Sequence, residues 1–361
     1  MHSSTSNFRA PTLRHIWLLG LACVLVCAFI EVGTALGFGR ISHIEHRREA
    51  EFERAKDVRH SVRAASVLVV GNSLLLQGVD FPKLQQQAGP ELTLYRVVVE
   101  NTFYLDWYYG LRRMFASGAR PDVIVLVLNP SQLTSPAIGG DYTAHFLVDK
   151  SDLLEFVKET GADRNRTSSL ALANLSFFYG TRAEIRNWVL GKILPDLPIL
   201  TRSFHPTQKK PPADLLRELT TQRLERLRQL CQRYEAKLVF VVPPSNEDAG
   251  ADIVSRAAAS IGVEVLIPIA PGVLPLSDYS DRFHLNSNGA SKFTPPLAAG
   301  LRQTILSFIG HSPDHGRLQK QPLDYDFESE KRDSGEPAVK HSGGRDGCGQ
   351  CGKVKRNTSP T

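Results

Sequence analysis

The chain has 361 residues, of which 42% are hydrophobic and 22% charged, and its formal net charge is +6 at neutral pH. This composition is that of an ordinary globular protein and excludes a largely disordered or collagen-like chain. Part of the positive charge lies near the two ends, which indicates solvated or membrane-facing segments and does not indicate a nucleic-acid partner.

The cysteines do not form a recognisable framework. Cys23 and Cys27 lie in an apolar run, Cys231 stands alone in a helical pattern, and Cys348 and Cys351 form a C-x-x-C in a polar tail. Such spacings do not match a set of disulfides, and two tail cysteines are too few for a zinc site. The sequence therefore predicts no metal site and no organic cofactor.

The first predicted element is an apolar segment near the N-terminus. After an N-terminal arm, residues 1–15, the segment Ile16–Phe38 contains one charged residue, Glu31. Its length suffices for a membrane span, which needs about 20 apolar residues. We predict a transmembrane signal-anchor over 16–38. A cleaved signal peptide, with its cleavage site at Gly33–Ala35, is the alternative; a buried helix of the soluble domain would show an amphipathic stripe, which is lacking.

The orientation of this segment is not decided by its flanking Lys and Arg residues, which are present on both sides. The N-terminal arm is short and the domain that follows is large. We therefore expect a single-pass membrane protein whose main domain lies outside the cytoplasm, in a periplasm or at a cell surface.

Beyond the anchor the chain alternates between strand and helix patterns. Five short apolar runs predict buried parallel strands: Ala65–Val70, Leu94–Val99, Ile124–Leu128, Leu238–Val242 and Val263–Ile267. Helical spacing occurs between them at Trp107–Ala116 and in a leucine stripe over Leu215–Leu230. This alternation predicts an α/β fold with a parallel sheet covered by helices on both faces.

Three other segments complete the predicted domain organisation. Residues 39–64 are charged and helix-prone, as in a stalk leaving a membrane, and the α/β domain covers 65–310. Within it, residues 131–212 are too long for a simple connection and are predicted as a helical insertion. We expect this insertion to cap the strand ends where substrate enters, or to be structural only. The polar tail, 311–361, is predicted to be disordered.

A serine follows the first predicted strand. Gly71-Asn72-Ser73 comes directly after it and precedes the helix-prone run Leu74–Gly78. A serine at a strand-to-helix turn is exposed at the carboxyl edge of a parallel sheet, and its own N–H can face a developing oxyanion. The pattern is common, and Ser73 acting only as a cap of the next helix is the alternative.

An acid and a histidine lie near the end of the predicted domain. Asp281 and His284 are three residues apart, so one turn can bring them together. A histidine acts as a general base toward a serine when a carboxylate holds its other ring nitrogen. A surface loop with an Asp–His contact is the alternative. The pair gains weight beside Ser73, because residues that follow the first and last strands meet at one edge of a parallel sheet.

These motifs resemble the SGNH/GDSL hydrolase family, particularly its membrane-linked members similar to cell-envelope and exopolysaccharide acyl-transfer proteins. Gly71-Asn72-Ser73 matches the G-D-S block, with Asn72 where Asp is usual, and Asp281-x-x-His284 matches the last block. The resemblance implies a flavodoxin-like three-layer sheet of the SGNH type. It also implies that Ser73 is the nucleophile, His284 the general base and Asp281 the residue that orients the base.

The resemblance further implies an oxyanion hole made by the N–H of Ser73, the side-chain amide of Asn129 and a backbone N–H near Thr102. Asn129 ends the third strand where the family has G-x-N-D, with Val127 and Pro130 in place of its glycine and Asp. The segment around Thr102 lacks the usual glycine. The predicted hole therefore departs from the family pattern at two of its three parts.

The function implied is that of a serine esterase or O-acyltransferase anchored in a membrane. It would act on acyl esters of an extracytoplasmic carbohydrate or envelope polymer through a Ser-His-Asp triad and an acyl-enzyme. Its substrate would be an acylated carbohydrate or a small ester, and a membrane acyltransferase is an expected partner.

Two alternatives stay open at this point. One is a catalytically silent, membrane-tethered module of the same fold for polysaccharide binding or assembly, which the departures in the oxyanion segments favour. The other is a lipase-like enzyme with an apolar acyl channel built from residues of the insertion, namely Leu175, Phe177, Phe178 and Tyr179. A helix core would explain those four side chains equally well.

Overall fold

The computed structural model describes residues 13–61, 63–194 and 211–310. Most of the predicted N-terminal arm, the proline-containing end of the insertion and the predicted disordered tail, 311–361, lie outside the described residues.

The centre of the molecule is a sheet of five parallel strands in the order β2-β1-β3-β4-β5. Its strands are β1 (Ala65–Gly71), β2 (Leu92–Val98), β3 (Val123–Val127), β4 (Lys237–Val241) and β5 (Glu264–Leu266). Each begins and ends within about three residues of a valine-rich run predicted from the sequence. Gly71 is aligned with Val98 on one side and Val127 on the other, so the strands end along one common edge.

Helices fill the connections and lie at both ends of the described residues. They are α1 (Leu13–Ile41), α2 (His43–Lys56), α3 (Ser73–Gly78), α4 (Phe81–Ala88), α5 (Tyr104–Ala116), α6 (Pro130–Thr134), α7 (Asp141–Phe146), α8 (Leu153–Thr160), α9 (Arg164–Leu175), α10 (Phe177–Ile193), α11 (Ala213–Gln232), α12 (Ala251–Ala259) and α13 (Ser287–Gly310). Two short 3₁₀ turns, Lys150–Asp152 and Leu276–Asp278, complete the set of helical segments in the described residues.

The two faces of the sheet bury separate apolar clusters. Side chains alternate along each strand, so Leu68 packs with the cluster of α5, α11 and α12, while Val69 packs with that of α3, α4 and α13. Trp107 of α5 and Phe293 of α13 are fully buried members of the two clusters. The predicted α/β fold is confirmed: a parallel sheet lies between two helical layers, in the flavodoxin-like strand order.

Helix α2 lies in the segment predicted to be a charged stalk, and it packs on the edge strand β2. The buried carboxylate of Glu51 accepts hydrogen bonds from the guanidinium of Arg96 and from the N–H of Val98. Glu100 accepts hydrogen bonds from Arg47 and Arg48. The charged residues of this segment therefore attach the helix to the edge of the sheet. Composition alone does not distinguish charges that make such contacts from charges that face solvent.

Helix α1 contains a run, Leu13–Phe38, that is long and apolar enough to cross a membrane by length and composition. Its most apolar 18-residue window is not buried by any other described part of the chain. It is therefore not a core helix of the α/β domain.

The predicted insertion is mainly helical where the structure describes it. It contains α6 to α10, including the predicted helices near Ser151–Thr160 and Thr181–Leu190. Helix α9 was not predicted, because its sequence, RNRTSSLALANL, has no regular apolar stripe. Its buried face is small and consists of Leu170, Ala173 and Asn174.

Candidate active site

Ser73 is the first residue of α3, directly beyond the carboxyl end of β1. Asn72 is the N-cap of this helix: it is fully buried, and its Oδ1 accepts a hydrogen bond of 3.0 Å from the N–H of Leu74. The cap fixes the turn from strand to helix and leaves the Ser73 side chain half-buried at the sheet edge. The N–H of Ser73 has no acceptor within the described residues.

Gly71 allows two neighbouring strands to approach closely just before this serine. A Cβ placed on Gly71 would lie 2.8 Å from the carbonyl oxygen of Val127 and 3.1 Å from the Cβ of Leu75. Distances below 3.0 Å are not sustained by real Cβ atoms, so any larger residue would have to move β3 or α3. The glycine is required by packing, and not by a positive φ.

His284 is held in a loop that connects β5 to α13. Tyr279 and Leu285 form an isolated antiparallel bridge across the loop, and the N–H of Ser280 donates to the carbonyl of His284 over 2.8 Å. Arg282, at the turn, has a φ of 67° in the left-handed region, which few non-glycine residues adopt. Such strain is commonly found where a loop must aim a functional side chain.

The structure brings Ser73, His284 and Asp281 together in one hydrogen-bonded row. The Nε2 of His284 lies 2.8 Å from the Oγ of Ser73, and its Nδ1 lies 2.7 Å from the Oδ2 of Asp281. A neutral imidazole that donates from Nδ1 to the carboxylate has its Nε2 lone pair free for the serine hydroxyl. The row joins positions 211 residues apart in the sequence.

The environment keeps Asp281 ionised. Burial on its own would raise the pKa of this carboxyl, but hydrogen bonds from the backbone N–H and imidazole of His284, and from the N–H of Phe283, lower its pKa below the ordinary value. Its Oδ1 accepts the backbone hydrogen bonds at 2.7 and 3.1 Å. The carboxylate therefore holds both the loop backbone and the imidazole ring.

Asn129, the second predicted oxyanion donor, lies just beyond the carboxyl end of β3, at the same edge of the sheet as Ser73. It is the N-cap of α6, and its Oδ1 accepts hydrogen bonds from the N–H of Gln132 and the hydroxyl of Ser131, both at 2.8 Å. Its side-chain NH₂ group donates to no acceptor in the described part of the chain. Asn129 is only 6% exposed, and its fixed amide oxygen leaves the NH₂ group free to face a ligand.

Thr102, the third predicted donor, is turned into the core. Its hydroxyl donates to the carbonyl of Val99 over 2.7 Å and accepts from the indole N–H of Trp107 over 2.9 Å. Its carbonyl accepts from the side-chain amide of Asn72 over 3.0 Å. Only the backbone N–H of Thr102 has no partner within the described residues; the residue has no exposed surface, and it lies in a loop where Asn101 has a φ of 57°.

Asp106 is a buried acid that sequence reasoning missed. It has no exposed surface, and its Oδ2 accepts hydrogen bonds of 2.9 Å from the N–H of Phe103 and 2.8 Å from the N–H of Gly139. Burial outweighs these bonds and raises the pKa of Asp106 to about 6. The residue links the loop that carries Thr102 to the start of the helical insertion.

The described residues have other surface features that do not include Ser73, His284 or Asp281. Two grooves of about 840 and 680 Å³ are lined by neither Ser73 nor His284. Among the residues that the structure describes, no group of three or more His, Cys, Asp or Glu side chains is placed to hold a metal ion.

No protein-family model matches this chain, and no curated protein matches it. Among solved structures it overlaps a crystal structure of TesA with 13% sequence identity and a TM-score of 0.33. The overlap covers 66% of this chain and 98% of that of TesA. Since this similarity is low, the fold is assigned from the chain's own strand order and register.

Proposed function

We propose that this chain is a serine esterase or O-acyltransferase in which Ser73, His284 and Asp281 form the catalytic triad. The observation that carries the proposal is the hydrogen-bonded row of 2.8 and 2.7 Å from the serine hydroxyl through the imidazole to the carboxylate. These three groups are at the carboxyl edge of a parallel sheet, where α/β proteins place their active sites.

In the proposed reaction, His284 takes the proton of the Ser73 hydroxyl as the oxygen attacks an ester carbonyl. Asp281 holds the Nδ1–H tautomer and stabilises the imidazolium that forms. The imidazolium then protonates the departing alcohol, which leaves an acyl group on Ser73. Water or a second hydroxyl, deprotonated by His284, releases the acyl group as an acid or as a new ester.

The proposed oxyanion hole consists of the N–H of Ser73, the side-chain NH₂ of Asn129 and the N–H of Thr102. The first two donors lie beyond aligned strands at one edge and have no acceptor within the described residues. Donors fixed before the reaction stabilise the developing charge without reorganisation, and one of them contributes about 3 to 4 kcal/mol in serine proteases.

We also propose that α1 is a retained membrane anchor with the domain outside the cytoplasm. Glu31, in the apolar run, accepts hydrogen bonds from Ser176, Phe177 and Phe178 at the start of α10. Phe38 is 5% exposed, so the last turns of α1 pack against the domain. Cleavage at Gly33–Ala35 would remove Glu31 from the start of α10, and this favours retention over a cleaved signal peptide.

The substrate class is proposed from the motif resemblance: an acyl ester of an extracytoplasmic carbohydrate or envelope polymer, with a membrane acyltransferase as partner. The orientation of α2 is compatible with a substrate near the membrane. The first turns of α2, which follow the anchor, contact the carboxyl end of β2 through Arg47 and Val98. The anchor and the proposed triad therefore lie toward the same edge of the sheet.

The second candidate function is a catalytically silent tethered module. It is favoured by Thr102, whose hydroxyl and carbonyl are both committed inside the protein, and by Val127 and Pro130 at positions where the resembled motif has glycine and Asp. The two candidates differ in whether Ser73 reacts covalently with an ester.

Turnover of p-nitrophenyl acetate by the full-length protein in detergent tests the proposed function. S73A is expected to lower kcat/KM by about a thousand-fold or more. Its matched control is S291A, which removes an exposed hydroxyl bonded to Asn288 on α13 and is expected to retain full activity. Folded wild-type protein without turnover, or S73A with wild-type turnover, would overturn the enzymatic proposal.

A further inference from the structure

The join between α9 and α10 is attached to the apolar helix α1 by a carboxylate. Glu31 accepts a hydrogen bond of 2.7 Å from the hydroxyl of Ser176, a further one from the N–H of Phe177, and one of 3.3 Å from the N–H of Phe178. These are the N-cap and the first two residues of α10, whose N–H groups carry the positive end of the helix dipole. The tip of the α9–α10 pair, residues 172–178, therefore lies beside residue 31 of α1.

The position of Glu31 along α1 places this tip near a membrane boundary. The apolar run Leu13–Phe38 has 26 residues. At 1.5 Å per residue it is about 39 Å long, which exceeds the roughly 30 Å hydrocarbon core of a bilayer. Glu31 lies about 10 Å before the end of the run. If the part of the helix before Glu31 spans the hydrocarbon core of the bilayer, that core ends close to Glu31. Glu31 then lies in the layer where acyl chains meet headgroups.

The tip exposes large apolar side chains at this level. Leu172 and Leu175, in the last turns of α9, are 51% and 63% exposed, and Phe178, in the first turn of α10, is 39% exposed. The buried face of the pair points the other way: Gly180 lies against His145, and a Cβ there would be 2.6 Å from the Cβ of that residue. The exposed side chains are therefore not needed for packing within the described domain.

Helix α10 leads away from this boundary after its first turns. Glu184 is near enough to Glu45 and Arg48 of α2, which follows the end of α1, to interact electrostatically with both. The direction of α10 is thus the same as that of the last turns of α1. Only the tip, and not the far end of α10 with Trp188, is at the level of Glu31.

We infer that the tip, residues 172–178, inserts into the interfacial layer of the bilayer as a second membrane contact, with Leu172, Leu175 and Phe178 among the acyl chains. The inference rests on the proposed function of α1 as a membrane anchor. Burial of apolar side chains at this depth is the usual way in which peripheral elements attach to a membrane. With two contacts in place of one, the domain cannot swivel freely about its anchor, and the edge that carries Ser73 is held at a fixed orientation to the bilayer.

Tryptophan fluorescence in lipid vesicles tests this contact, because the chain has three tryptophans in different settings. Trp17 lies in the apolar helix, Trp107 is fully buried in the core, and Trp188 is near the end of α10. Full-length protein would be reconstituted into phosphatidylcholine–phosphatidylglycerol vesicles with and without lipids carrying a nitroxide near the carbonyl end of an acyl chain. In a background of W17F and W188F, L175W introduces a reporter at the tip.

The matched control in the same background is L154W, since Leu154 is an apolar residue of α8, 86% exposed, outside the tip. We expect L175W to be quenched by the labelled lipid several-fold more than L154W, and a variant that retains Trp17 to be quenched as well. Both reporters replace exposed residues, and circular dichroism checks that each variant is folded.

The outcomes separate the contact from the anchor. Quenching at Trp17 without quenching of L175W would overturn the second contact and leave the anchor intact. Absence of quenching at Trp17 would overturn the anchor, and the second contact with it.

Discussion

The side-chain amide of Asn72 donates a hydrogen bond of 3.0 Å to the carbonyl oxygen of Thr102, across the carboxyl ends of β1 and β2. Both residues are fully buried. The same Asn72 side chain caps α3 with its oxygen, directly before Ser73. One neutral amide thus joins two loops that carry proposed oxyanion donors, and only a side chain with both a donor and an acceptor can do so.

This relationship predicts that N72D is harmful, although Asp is usual at this position in the resembled motif. The carboxylate keeps the cap but has no proton for the Thr102 carbonyl, and it places a charge where no surface is exposed. We expect the free energy of unfolding to fall by about 2 kcal/mol or more. The control N72S keeps a cap acceptor without the charge, so urea unfolding should show a smaller loss. Equal stability of N72D and wild type would contradict the account.

Gly71 and Gly78 provide a matched pair of glycine substitutions around Ser73. In G71A the new Cβ would meet the Val127 carbonyl at 2.8 Å, so β3 or the Ser73 turn must shift. We expect a loss of about 1 to 3 kcal/mol in unfolding free energy and a large loss of esterase activity. In G78A the nearest atom is a methyl of Leu285 at 3.6 Å, an ordinary contact. That variant is expected to remain active and within about 1 kcal/mol of wild type.

Asp106 should make stability depend on pH in the mildly acidic range. Its pKa is raised to about 6 by burial, against an ordinary value near 4, so the folded state binds a proton that the unfolded state has lost. The stabilisation from the protonated form is complete below pH of about 4 and is lost as pH rises through about 6, a difference of about 3 kcal/mol.

The variant D106N removes this dependence. We expect D106N to become more stable relative to wild type as pH rises from 4 to 7, because wild type alone loses the stabilisation from protonated Asp106. Urea unfolding at several pH values measures it, and subtracting the two curves cancels the other titrating groups. A difference that does not change with pH would show that Asp106 titrates normally.

Helix α2 is expected to be part of the folded domain. In E51Q, the guanidinium of Arg96 loses its carboxylate partner beneath the helix, and we expect a loss of about 3 kcal/mol in unfolding free energy. The matched control is E53Q in the same helix: Glu53 pairs with Lys56 at the surface, with a side chain 67% exposed. Such pairs contribute little, so E53Q should match wild type. Equal stability of the two variants would fit a free stalk and contradict the docking of α2.

The sheet could be predicted from the sequence because each strand is a short apolar run, and the central strands β1 and β3 are buried at every position. Ser73, Asp281 and His284 could be placed at one edge because residues that follow parallel strands meet there. Local sequence patterns do not predict the remaining features of the structure. Glu31 reads as a lone charge in an apolar run, since its hydrogen-bond partners are 145 to 147 residues away.

Three further features, the role of Asn72, helix α9 and the orientation of Thr102, could not be predicted from the sequence for other reasons. The role of Asn72 depends on a hydrogen bond to the backbone carbonyl of Thr102 in a distant loop. Every residue has a backbone carbonyl, so the sequence does not indicate which one Asn72 contacts. Helix α9 was missed because polar residues dominate its sequence, and its buried face of Leu170, Ala173 and Asn174 is short and includes a polar residue. The predicted oxyanion role of Thr102 narrows to its backbone N–H, since its hydroxyl is buried with Trp107.

The most direct test of the central claim is covalent labelling of the folded, full-length protein with a fluorophosphonate, followed by mass spectrometry of the labelled peptide. We expect one adduct per chain, on Ser73, formed much more slowly in H284A and D281N and absent from S73A. Folded protein that stays unlabelled, or an adduct on another residue that survives in S73A, would contradict the assignment of Ser73 as an activated nucleophile.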